Sequence, residues 1–284
     1  MASYAGLSAW IFKKFHQDIK YLLTLQSGDS DEFMNKRTWW WKGVYQKIYQ
    51  DADFIQAISN FLIDRARKYG FKSNNIELIP NGVDLENFTK KLDEEEVENK
   101  KKELGIEKEE RVVISLSRLA MKNAMNDLID SLKYLPEEYK LIICGVGPLE
   151  ESLKLQVANC KLEKRVIFTG FVDYKELYQY LNISDIFCRP SLSEGLGNVF
   201  LESMASQVPV IATEVGGIPD FLKDNETGLF CKVNNPQSIA EKVKLLAEDS
   251  ELKNRVVENG YKMVINNYSW ESVVEKMSNI FNKL

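Results

Sequence analysis

In the stretch RPSLSEGLGNVFLESMASQVPVIAT, Arg189 to Thr213, two carboxylates, Glu194 and Glu202, stand on either side of a turn that carries Gly195 and Gly197. If a helix starts near Gly197 or Asn198, its first backbone N–H groups have no intrahelical partner and point back into the turn, where they can bind an anion. Glycine at 195 and 197 clears side chains from the path of a phosphate. Glu194 in the turn and Glu202 one turn into the helix can both face one pocket. As acceptor-only groups beside an anion site, they suit the hydroxyls of a ribose or a sugar rather than the anion itself. Acidic residues at a helix start also simply complement its dipole, and the pair taken alone leaves both readings open.

Other residues add to this chemistry. The segment SRLAMKNAMNDLI places Arg118 and Lys122 just past an apolar run. If that run is a strand, the two cations sit at the carboxyl end of a sheet, where open α/β folds bind ligands, and they suit a diphosphate. Taken alone they read as surface charges. The segment ICGVGPLEESL supplies Gly145 and Gly147 at a second strand end, but position 150 is Glu, so the G-x-G-x-x-G dinucleotide fingerprint fails. The single histidine, His16, excludes a His-rich metal site. The Asp-x-Asp triplets at Asp29–Asp31 and Asp51–Asp53 could hold Mg²⁺ or Mn²⁺, but they read better as a surface turn and a helix end.

The elements that must position these groups are clearest after residue 110. RVVISLS, KLIICG, RVIFTG, DIFCRP, PVIAT and GLFCKV are six short apolar runs rich in β-branched residues, each ending at Gly, Pro or a polar turn. Helical patterns separate most of them: Asn123 to Leu135, PLEESLKLQVANC, YKELYQYLN, GNVFLESMASQ and a short IPDFL. Alternating strands and helices predict right-handed βαβ units and a parallel sheet covered on both faces. Residues 1–80 offer three strands, IKYLLTL, DFIQAIS and IELIP, with helices over WWWKGVYQKIYQDA and SNFLIDRARKYG. That is about half of a six-stranded doubly wound domain. The charge-dense stretch from Asn81 to Glu110 reads as a connection plus a solvated helix.

At 284 residues with 44% apolar and 28% charged residues, the chain has the composition of a globular protein. It shows no apolar run of membrane-spanning length and no signal-peptide layout, so a cytoplasmic location is expected. The four cysteines form no C-x-x-C pair and read as reduced, mostly buried side chains. Residues 1–80 carry 11 Lys/Arg against 8 Asp/Glu, or +3, so the rest of the chain holds −8 of the net −5. The basic part includes Trp39, Trp40 and Trp41 among Lys36, Arg37, Lys42 and Lys47. This mixture serves peripheral attachment to a membrane face, although packing of the tryptophans with the lysines on a solvated face is the favoured reading. The chain is acidic overall and shows no basic stripe, which argues against nucleic acid as a partner.

Taken together, these segments resemble the retaining glycosyltransferases of family 4, whose GT-B fold sets two Rossmann-like domains face to face. ELIPNGVDLENF is similar to the opening of that family's donor domain, SRLAMKNAMNDLI to its Arg/Lys phosphate site and GVGPLEESL to its G-x-G-P turn. The opening stretch matches its Glu, seven residues, Glu motif. PVIATEVGGIPDFL matches its double-glycine loop and YSWESVVEKMSNIF its final helix. The resemblance implies an α/β fold of GT-B type, with a partial N-terminal acceptor-side domain in residues 1–80 and a complete donor-binding domain in 81–265. A C-terminal helix, 266–284, would return to the N-terminal domain. By the same resemblance Arg118 and Lys122 neutralise the nucleoside diphosphate, Glu194 contacts the donor sugar and Glu202 holds the ribose hydroxyls. The backbone from Gly195 through Leu196, Gly197 and Asn198 to Val199 meets phosphate or sugar, Gly147 lies at the donor, and Val172 lies near the base.

The activity implied is transfer of a sugar from a UDP- or GDP-sugar to a sugar or lipid-linked hydroxyl acceptor, with retention and with no metal or cofactor, in polysaccharide or glycolipid synthesis. Fixed cations and helix N–H groups would stabilise charge on the leaving phosphate, and front-face attack by the acceptor would account for retention. Two departures stand out. No strand with a glycine-rich loop precedes MASYAGLSAW, so Met1 reads as a position inside a longer protein. Gln26 stands where relatives often place a histidine. His16 is expected at a helix end on the surface and not as a base. An inert nucleotide-sugar binding fragment and a sugar-nucleotide epimerase are the alternatives, the latter lacking clear acid/base groups.

Overall fold

The computed structural model describes residues 4–284; residues 1–3, including Met1, lie outside it. Its larger sheet has six parallel strands: β4 (Arg111–Leu116), β5 (Tyr139–Cys144), β6 (Val166–Gly170), β7 (Ile186–Arg189), β8 (Val210–Thr213) and β9 (Leu229–Cys231). The first three strands are β1 (Leu22–Leu25), β2 (Phe54–Ala57) and β3 (Ile76–Leu78). All six apolar runs read from the sequence after residue 110 are strands. Their spatial order is β6-β5-β4-β7-β8-β9, the doubly wound order in which the chain reverses direction between β4 and β7.

The continuous apolar runs follow from burial of both sheet faces. Side chains alternate between faces along a strand: Val112, Ile114 and Leu116 enter one core cluster, while Val113 enters the other. On the second face the sheet meets helices Met125–Ser131, Glu150–Asn159 and Pro236–Glu248 through Leu128, Ile129, Leu153, Ile239 and Val243. On the first face, helix Asn198–Ala205 contributes Phe200, Leu201 and Met204 to a core that runs without a break into the N-terminal residues.

The smaller sheet is parallel in the sequential order β1-β2-β3. Its central strand β2 is buried throughout. Ile55 and Ala57 join the main core, and Phe54 packs with Ile79 and Ile280 of the last helix, Trp270–Lys283. That helix is tied down further by an ion pair from Lys283 to Glu77 at 2.6 Å. The charge-dense stretch forms helix Glu94–Glu103, which starts at a capping box made by Asp93 and Glu96 and buries none of its residues.

Some expectations are corrected. The helix expected from Asn123 to Leu135 starts only at Met125, because Ala124 adopts a left-handed conformation at φ 48° and parts it from the 3₁₀ turn Met121–Asn123, and past Ser131 it tightens into a second 3₁₀ turn, Leu132–Tyr134. Helices Tyr4–Phe15 and Asp31–Thr38 are additions to the elements expected from the sequence. Trp39–Trp41 form a 3₁₀ turn ahead of helix Lys42–Gln50. Packing was the favoured reading for all three tryptophans, yet Trp39 and Trp40 are 75% and 70% exposed. Trp41 alone packs, edge-on to Tyr45.

Candidate functional site

The carboxyl ends of β4, β5 and β6 open into a cleft of about 700 Å³ beside helix Asn198–Ala205. The cleft lies at the switch point of the six-stranded sheet, where neighbouring connections diverge to opposite faces and leave a crevice. Its floor is Leu116, Ser117 and Arg118 after β4 and Gly145 to Pro148 after β5. Its walls are Phe171 and Val172 after β6 and Val199 and Glu202 of the helix. The two floor segments nest closely. Leu119 N–H donates to Val146 O at 3.1 Å, and a Cβ on Gly147 would lie 2.3 Å from Leu119 O.

Six of the residues singled out in the sequence line this cleft: Arg118, Gly145, Gly147, Val172, Val199 and Glu202. Arg118 is exposed. Glu202 is 5% exposed, and its Oε1 accepts a hydrogen bond from the Tyr174 hydroxyl at 3.2 Å. Burial pushes its carboxyl up to about 7, with Asp84 adding to the rise while Tyr174 and Arg189 oppose it. A carboxyl group held this high in a cleft is characteristic of a functional position.

Glu194 does not share that pocket, contrary to the expectation that both carboxylates face one site. Its Oε2 pairs with Arg189 and its Oε1 accepts the Gly195 N–H at 2.9 Å. Arg189 ends β7, is 6% exposed and stacks its guanidinium over Phe200. Burial lowers its pKa from the usual guanidinium range, while Glu194 and Glu202 oppose that shift. A charged residue closing a buried strand was the available signal for Arg189, and the sequence reading did not use it.

The glycine turn is filled with protein. A Cβ on Gly28 would lie 2.0 Å from Gly195 N, and one on Gly216 1.9 Å from Glu194 O. Ser193 Oγ donates to Gly28 O, Leu192 N–H to Lys122 O and Gly217 N–H to Glu194 O. Gly195 and Leu196 are buried, Leu196 at 1% exposure, so the ligand contact expected at the backbone of these two residues is closed off by protein. Gly197, at φ 85°, caps helix Asn198–Ala205, whose N-terminus falls where the sequence placed it. Asn198 Oδ1 accepts from Asn81 Nδ2 at 3.3 Å. Lys122 lies beside the turn with its Nζ 3.6 Å from Asp29, in the loop after β1. Asp220 reaches the same interface from the other side, accepting the Asn60 N–H at 2.7 Å.

Both Asp-x-Asp triplets are engaged with cations. Asp29 faces Lys122, and Asp31 faces Arg65 and Lys68. Asp51 pairs with Lys14 and accepts the Trp10 indole N–H, while Asp53 pairs with Lys13. His16 is exposed just after helix Tyr4–Phe15 and stacks on Phe12.

Residues 96–263 match the family described as glycosyl transferases group 1. The chain belongs to that family. Residues 1–87 also match the one described as glycosyltransferase family 4. Among relatives of this group 1 chain is the N-acetyl-α-D-glucosaminyl L-malate synthase of Bacillus anthracis, 28% identical over 82% of this chain and 60% of that protein. A GDP-mannose-dependent α-(1-6)-phosphatidylinositol monomannoside mannosyltransferase of Mycobacterium tuberculosis is 28% identical over 84% and 63%. The chain spans about 60% of the length of the curated relatives it matches. Among solved structures, Anabaena HepE in complex with UDP-glucose superposes with a TM-score of 0.89 at 20% identity, covering 99% of this chain and 76% of that one. That likeness establishes the GT-B fold.

Proposed function

We propose that the cleft at the switch point binds a nucleotide-sugar donor, UDP- or GDP-linked, and that the chain serves transfer of the sugar to a hydroxyl of a sugar or lipid-linked acceptor with retention. The carrying observation is Glu202, a buried carboxylate facing an open cleft that has Arg118 at its floor. In this reading Glu202 accepts the ribose hydroxyls, Val172 lies against the base and Gly147 with Val199 borders the phosphates. Arg118 is the cation that meets the diphosphate directly, and Lys122 reaches it on leaving Asp29. Charge developing on the leaving phosphate is stabilised by these cations and by the first N–H groups of helix Asn198–Ala205. Glu194, held by Arg189 outside the cleft, is assigned no contact with the donor sugar. No metal or cofactor is assigned a part. The names of the relatives support a donor of this class and a place in polysaccharide or glycolipid synthesis.

Calorimetric titration of the chain with UDP, GDP and ADP tests the reading. Binding of one diphosphate that weakens at least tenfold in Glu202→Ala is expected, equivalent to about 1.4 kcal/mol or more. Absence of binding by a folded chain to all three would overturn it.

A second proposal concerns the exposed Trp39 and Trp40, which lie among exposed Lys36, Arg37 and Lys42. Aromatic rings with basic neighbours suit the interface of an anionic bilayer, and this face is assigned to peripheral membrane contact. Among the described residues no helix is long and apolar enough to cross a membrane.

A further inference from the structure

We propose that Tyr174 is the positioning residue for Glu202, its hydroxyl fixing the orientation and charge state in which that carboxylate receives the donor. The inference rests on the nucleotide-sugar reading of the cleft and assigns a role to a residue that the sequence did not single out.

Tyr174 is held on three sides. It opens a 3₁₀ turn after β6, Tyr174–Glu176, whose start is fixed by Asp173 Oδ1 accepting the Lys175 N–H at 2.9 Å. Its carbonyl accepts from Asn87 Nδ2 at 3.3 Å. Its ring stands edge-on to Phe88, with centroids 5.2 Å apart at 77°. Phe88 is fully buried in the short helix Leu85–Phe88 of the connection between the two sheets. From this seat the hydroxyl reaches Glu202 Oε1 at 3.2 Å.

Burial and the neighbouring carboxylate both raise the phenol pKa, so Tyr174 stays a donor throughout the neutral range. A carboxylate has several acceptor sites, and one firm donor on Oε1 leaves Oε2 to meet ligand hydroxyls. No described side chain holds Oε2. The groups acting on the carboxylate come from three directions: Tyr174 from the 3₁₀ turn, Arg189 from the end of β7 and Asp84 from the connection, while Arg118 lines the same cleft. Burial makes ionisation of Glu202 hard, and Tyr174 is the first of the groups that ease it. Removing the hydroxyl while keeping the ring therefore moves ionisation to higher pH and leaves the contact with Phe88 in place.

The test measures affinity for the preferred diphosphate between pH 5.5 and 9 in the full chain, its Tyr174→Phe variant and its Glu202→Gln variant. The Glu202→Gln profile carries the ligand's own phosphate ionisation and serves as the baseline. Relative to it, wild-type affinity rises with pH through the neutral range, and the Tyr174→Phe rise is displaced upward by about one pH unit. The variant is then roughly fivefold weaker near pH 7, approaches tenfold weaker near pH 5.5 and is close to wild type near pH 9. Superimposable wild-type and Tyr174→Phe profiles, or a uniform loss at every pH, would overturn the role of Tyr174 and leave the nucleotide site standing. Failure of the folded wild-type chain to bind UDP, GDP or ADP would overturn both.

Discussion

The glycine turn at 190–197 and the cleft at the ends of β4 to β6 both draw on one motif, yet they are built for different work. At the turn, three backbone segments come so close that a single added carbon at Gly28, Gly216 or Gly217 would overlap, and Glu194 is consumed by Arg189 and its own neighbour's N–H. At the cleft, Glu202 is the more deeply buried of the two, at 5% exposure, but retains an oxygen toward open space. The first carboxylate braces the turn, and the second waits for a ligand. The same carboxylate chemistry thus acquires different roles according to whether a cation is already in place.

The sharpest way to break this contrast is Arg189→Ala. It leaves the Glu194 carboxylate enclosed without its partner and should cost about 3–5 kcal/mol, read as a fall in the urea midpoint at unchanged slope. A cost below about 1 kcal/mol would mean that the turn is open to solvent and that the contrast is lost.

Glu202→Gln should act in the opposite direction. Because folding raises this carboxyl from the ordinary 4.5 to about 7, its contribution is fully favourable below pH 4.5 and is lost as pH rises through 7. By pH 8 the ionised group costs the ligand-free fold about 3 kcal/mol. Urea unfolding should therefore show Glu202→Gln matching wild type near pH 4 and exceeding it by up to that amount at pH 8, even as diphosphate binding falls. Equal stability of the two proteins at pH 8 would remove the strained carboxylate from the picture.

A smaller effect is expected from Gly216→Ala, where φ is 57° and the new Cβ would meet Glu194 O. Strain and overlap together should cost about 2 kcal/mol in thermal or urea unfolding. The smallest effect on the fold belongs to the double variant Trp39→Ala, Trp40→Ala, which touches neither region. Stability should change by less than about 0.5 kcal/mol and diphosphate affinity not at all. Cosedimentation with vesicles containing anionic phosphatidylglycerol should drop several-fold, and unchanged cosedimentation would remove the membrane assignment.

By itself, the sequence determined the six-stranded sheet, because a strand buried on both faces must be apolar at every position, and runs such as RVVISLS and KLIICG allow no other layout between helical segments. It also determined the start of the helix at Gly197 and the distribution of cations and carboxylates around it. The broken helix after Asn123 was not legible, since the left-handed turn falls on an alanine that carries no local signal for it. The exposure of Trp39 and Trp40 was not legible either, because composition cannot say which face of a helical turn lies against the core. Only the tertiary structure decided which glutamate is free. Arg189 lies five residues from Glu194 and Tyr174 lies 28 from Glu202, and the choice between a paired and a waiting carboxylate is made by neighbours that packing, and not spacing, brings within hydrogen-bond reach.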